Sequence, residues 1–261
     1  MAIWGRSPNP EPPLVAAAPL GSDSESGPRI TTRQSAARHA RGAAAILVSR
    51  LATWYADRLV ERGDTVAAEL WPTLVACGLT SPARLVESSF RSPEFRLIVA
   101  PIVRLYFAAL GRPPDVGGLR YWAGKLRVLR SMERLAESFA HSREFRERYG
   151  GLGNRRFVEA TMEATLGAAV AADGLDFWTA MLDEARATRG SYLLGISEHP
   201  DFRARIVDRV RVTAMYLSLL RRHPDSEGLD YWVACARDGD SWAAIIDAFL
   251  QSRECRTRFP R

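Results

Sequence analysis

Leu110-Gly-Arg-Pro-Pro-Asp-Val-Gly-Gly-Leu-Arg-Tyr-Trp122, followed by Ser142-Arg-Glu-Phe145, decides the fold because the chain writes it twice. Without a gap, 110 residues further on stand Leu220-Arg-Arg-His-Pro-Asp-Ser-Glu-Gly-Leu-Asp-Tyr-Trp232 and Ser252-Arg-Glu-Cys255. Two weaker copies fill the intervals. Leu166-Gly167, Gly174-Leu175 and Phe177-Trp178 form one, with Phe202 in the place of Phe145. Trp71 followed by Ser92-Pro-Glu-Phe95 forms the other, and Asp64 falls where Asp115 would. The tryptophans Trp71, Trp122, Trp178 and Trp232 are thus 51, 56 and 54 residues apart. Self-similarity at such a period is the signature of a repeat architecture, whose terminal unit is often degenerate.

Each unit reads as three helices and a short fourth. Ile98, Ile102, Leu105/Tyr106 and Ala109 recur at helical spacing and predict one apolar face. Gly111 suits the left-handed position that ends a helix, and Pro113-Pro114 blocks continuation. Asp115 then stands where a side-chain acceptor caps the next helix. On that helix Leu119, Trp122, Leu126 and Leu129 share the core face, and Tyr121 lies about 100° round from Trp122 at the edge of the stripe. A third helix starts near Ser131. Ser81-Pro82 makes the same start in the first copy, with proline at the first helical position. Ser142 and Ser92 read as further caps, with Glu144 and Glu94 placed to complement the helix dipole. No stretch alternates with the period of a strand. The expected fold is all-α, tandem helical repeats of about 55 residues.

The expected organisation is a disordered, Pro/Ala/Ser/Gly-rich extension over 1–45, a degenerate first repeat over 46–99, and repeats over 100–150, 151–206 and 207–261. Gly150-Gly-Leu-Gly153 is the hinge between the second and third units. It lacks the preceding strand and the Lys-Ser/Thr of a phosphate loop.

Composition points to a soluble globular protein, 47% hydrophobic and 25% charged. No run of about 18 apolar residues is present to span a bilayer. Leu14 to Leu20 lacks the charged-then-apolar layout of a secretory signal, so the sequence by itself points to the cytoplasm. The net charge of +6 sits at the ends, because residues 46–252 carry 27 basic and 26 acidic groups. A phosphate-neutralising groove needs the opposite layout. Cys77, Cys235 and Cys255 form an odd set without metal spacing and read as buried thiols; Cys255 replaces the apolar Phe145.

Catalytic constellations are absent from the sequence. His39, His141, His199 and His223 are scattered, with no second ligand at metal spacing on one helix face. No nucleophile elbow or zinc-protease motif occurs. The expectation is therefore a protein that is not an enzyme and needs no cofactor or metal. The residues set aside for ligand binding are Arg112, Asp115, Tyr121, Arg222, Asp225 and Tyr231. An acid and an arginine beside an aromatic edge suit a sugar, although helix capping accounts for the same acids.

The string Leu-Gly-Arg-x-Pro-Asp-x-x-Gly-Leu-x-Tyr-Trp with Phe-x-x-Ser-x-Glu-Phe resembles a bacterial module known as domain of unknown function 4214. It is carried by Leu110 to Trp122 with Phe139 to Phe145, and by Leu220 to Trp232 with Phe249 to Cys255. The resemblance implies a helical relative of phycobilisome linker domains. It further implies the company that module keeps: bacterial surface or secreted proteins and glycosyltransferase domains. This chain shows neither a glycosyltransferase half nor calcium-binding glycine-rich repeats. Val170-Ala171 stands where Pro114-Asp115 would, His223 replaces Pro113, and Arg221 replaces Gly111.

Three functions are expected from these features. The first is a non-catalytic repeat scaffold that binds a protein or a polysaccharide in envelope-related assembly. The second is a carbohydrate-binding module using the Arg-x-Pro-Asp turns. The third is weak nucleic-acid binding through the Arg-rich ends.

Overall fold

A computed structural model of the chain describes residues 80–167 and 172–258. Among them the protein is all-α, with twelve α-helices, two π-helical turns and no strand. The 1–45 extension, His39, Asp64, Trp71, Cys77 and Val170-Ala171 lie outside the described residues.

Helix α1 (Pro82–Ser89) is followed by a π-helical turn (Phe95–Val99) that leads into α2 (Ala100–Leu110). Then come α3 (Val116–Leu129), α4 (Met132–Ala140) and α5 (Arg143–Tyr149). After the glycine-rich linker follow α6 (Asn154–Leu166), α7 (Ala172–Asp183) and α8 (Arg189–Ser197). Helix α9 (Pro200–Met215) runs into a second π-helical turn (Tyr216–Leu220), and α10 (Ser226–Arg237), α11 (Trp242–Gln251) and α12 (Arg253–Arg258) complete the order.

The helix starts follow the side-chain chemistry. Ser81, Ser131, Ser142 and Ser241 each accept the backbone N–H three residues on, satisfying a donor the helix cannot pair internally. Thr188 and Ser191 form a reciprocal capping box on α8. The short fourth helix departs from expectation. It is separate as α5 and α12, but Phe202 lies within the continuous α9. Glycines break the chain after Tyr149, whereas no glycine or proline stands between Phe202 and Met215 to stop the helix.

Two elements form the middle of the molecule. Every residue of α2 is buried, and so is every residue from Val212 to Leu220 on α9 and its π turn. The expected single apolar face of α2 is thus a helix covered on all sides, since Arg104 is its one charged residue. Arg104 is matched by Glu198 at the end of α8, Nε donating to Oε1 at 2.8 Å and Nη2 to Oε2 at 2.7 Å. Around α2 and α9, α4 packs on α8 and α1 packs on α11. The second pair joins the beginning of the described chain to its end, a closure that a neighbour-only stack does not make. The glycine-rich linker is pinned: Arg189 donates to the carbonyls of Tyr149 and Leu152 and to Asn154. No helix among the described residues is long and apolar enough to cross a membrane.

Candidate functional site

The two strong sequence copies fold into matching clasps at the start of α3 and α10. Gly111 ends α2 at φ 67°, and the chain turns through the prolines to Asp115. Asp115 Oδ1 accepts the Gly118 N–H at 2.6 Å, and Asp225 Oδ1 accepts that of Gly228 at 2.7 Å. Both glycines are sterically required. A Cβ on Gly118 would stand 2.5 Å from the Tyr106 hydroxyl, and one on Gly228 would collide with the Tyr216 hydroxyl in the same way.

The arginines of the turns are committed inside the protein. Arg112 reaches Glu144 with two hydrogen bonds of 2.8 Å, and its Nη1 donates to the Pro113 carbonyl at 3.0 Å. Arg222 does the same with Glu254 at 2.6 and 2.8 Å and with the His223 carbonyl at 3.0 Å. Its Nη1 also reaches Asp225 Oδ2 at 3.1 Å. The guanidinium groups lie over the rings of Tyr106 and Tyr216, at 5.4 and 4.9 Å from their centroids.

The charges respond accordingly. The Gly228 N–H, with the Arg222 side chain, holds the Asp225 carboxyl below the usual carboxylate range. The bond to Glu254 raises the Arg222 guanidinium. Burial raises the phenols of Tyr106 and Tyr216, with the indoles of Trp122 and Trp232 pulling the other way. Those tryptophans face the core as expected, 7% and 8% exposed, against Phe139 and Phe249.

Of the six residues set aside for a ligand, the structure brings Arg222 and Asp225 into direct contact. Arg112 and Asp115 share a turn, but Arg112 is spent on Glu144 and a carbonyl. Tyr121 is 59% exposed; its ring meets Trp122 edge-on at 5.0 Å and the Lys125 ammonium at 5.7 Å. Tyr231 is half-buried and edge-on to Trp232 at 5.0 Å. Phe177 holds the same place against Trp178, edge-on at 5.5 Å and 56% exposed. Three rings, two exposed and the third half-buried, are therefore each set against the tryptophan that follows them.

Sequence reasoning missed the rest of the clasp. Tyr106 and Tyr216 are both tyrosine at the same 110-residue offset, as are Glu144 and Glu254, so the signal was present in the register. Cys255 is buried and Cys235 half-buried, and neither is bridged. Burial pushes the Cys255 thiol up to about 11. Among the described residues no group of three His, Cys, Asp or Glu could hold a metal ion.

Fold and site together define an all-helical protein in which an arginine–carboxylate clasp occurs twice and an aromatic pair three times. Residues 136–206 and 201–259 each match the family described as Domain of unknown function (DUF4214). No curated protein and no solved structure matches the chain.

Proposed function

We propose that the protein is a non-catalytic helical interaction module that presents solvent-facing aromatic rings to a protein or polysaccharide partner. The observation that carries this reading is the recurrence of Tyr121, Phe177 and Tyr231, each set edge-on against a tryptophan. A ring braced in this way loses little freedom on binding and offers apolar area with one polar edge. Phe177 has no hydroxyl, so the property common to all three is the ring face. A role in envelope or polysaccharide assembly draws its support from the family's usual company.

A glycan array and affinity capture with the full chain test this reading, with a Tyr121→Ala/Phe177→Ala/Tyr231→Ala variant as comparison. Binding by the wild type that is lost in the variant at unchanged helicity is the expected result. Silence in both assays, or equal binding by the variant, would overturn it. The turn-based carbohydrate reading has less support, because Arg112 and Arg222 are already paired with Glu144 and Glu254, and Asp115 and Asp225 already accept backbone N–H groups. Loss of sugar binding by Asp225→Ala with the melting temperature retained would restore that reading.

A further inference from the structure

A groove of about 560 Å³ lies between the π-helical turn before α2 and the end of α3, within the size range of ligand clefts. Leu97, Ile98, Leu126 and Met132 give it apolar walls, and the Glu94–Arg127 ion pair forms another part of its lining. Arg130 also lines it, exposed and with no carboxylate partner among the described residues.

The corresponding position 110 residues further along carries an aromatic ring packed within the protein. There Trp242 stands at the number corresponding to Met132, with Phe90 edge-on at 5.8 Å and Arg211 over its ring at 5.0 Å. Pro101 takes the position of Arg211, and Arg130 takes the position of Asp240. The sister unit thus carries Trp242 in place of Met132, with the exposed Asp240 two residues before it in the sequence. The groove has a slender thioether and a cation in their stead.

We infer that the groove is a docking site for a segment of a partner protein that carries an aromatic side chain beside a carboxylate. The ring replaces what Trp242 supplies in the sister unit, and the acid meets Arg130. Leu97, 66% exposed at the wall, gives the segment further apolar contact. This site is separate from the rings of Tyr121, Phe177 and Tyr231.

Selection of a phage-displayed random peptide library on the immobilised full chain tests the inference. Enriched peptides should carry Trp, Phe or Tyr close to Asp or Glu. Arg130→Asp should weaken a selected peptide about fivefold, the scale of an exposed ion pair, and make its binding less salt-sensitive. Met132→Trp should abolish binding by filling the groove with a ring of its own. Should that variant not fold, Leu97→Glu, at an exposed wall position, carries the same expectation. The triple ring variant should still bind, which separates this site from the aromatic surface. No enrichment, peptides lacking the ring or the acid, or undiminished binding by the filled variant would overturn the inference.

Discussion

Arg221 occupies the left-handed region at φ 51°, the position its sister unit gives to Gly111 at φ 67°. A side chain there is strained by about 1 kcal/mol, part of which glycine gives back through its freer unfolded chain. Arg221→Gly is therefore expected to raise stability by about 0.5–1 kcal/mol, seen as a higher urea midpoint at unchanged slope. Asp225 argues at the same scale. Its folded pKa is depressed, so its contribution is full above the unfolded value near 3.8 and is lost as acid takes the pH below that value. Asn at this site still caps α10 but does not titrate. Asp225→Asn should lower stability at neutral pH and flatten the loss below about pH 4, followed by circular dichroism during acid titration.

Two glycines on α3 and α8 separate helix propensity from packing. Gly124 has open space where a Cβ would stand, so Gly124→Ala is expected to stabilise α3 by up to about 1 kcal/mol. At Gly190 a Cβ would lie 2.6 Å from the Glu137 Cα, backbone that no rotamer change can move. Gly190→Ala should force α8 away from α4 and cost about 1–3 kcal/mol net, despite the propensity gain. Equal and stabilising effects at both positions in urea melts would refute the close α4–α8 approach.

The described part of the molecule is closed by α1 on α11, where Phe90 lies edge-on against Trp242. A stack of units that touch only their neighbours frays from its ends. Here the beginning and end of the described chain support each other, so they are expected to open together. Phe90→Ala should cost about 3 kcal/mol and raise amide exchange in residues 242–251 as well as in α1. Exchange that rises in α1 alone would mean the two helices are energetically independent.

The sequence by itself determined the all-α class, the caps at Ser81, Asp115, Ser131, Ser142 and Asp225, and the inward-facing Trp122 and Trp232. These are local properties: a cap needs an acceptor three residues before an N–H, and a core stripe needs only helical spacing. The clasp was half legible. Its Arg, Asp and Glu144 stand in the quoted motif, although the motif does not say that the Arg and Glu pair, while Tyr106 could be found only by holding the 110-residue register beyond it. Tertiary structure alone decided the pairing of α4 with α8 and α1 with α11, the Arg104–Glu198 bond, the Arg189 pin and the open groove beside Met132. Those depend on which surfaces meet across the chain. An isolated arginine in an apolar helix carries no mark of a partner 94 residues away.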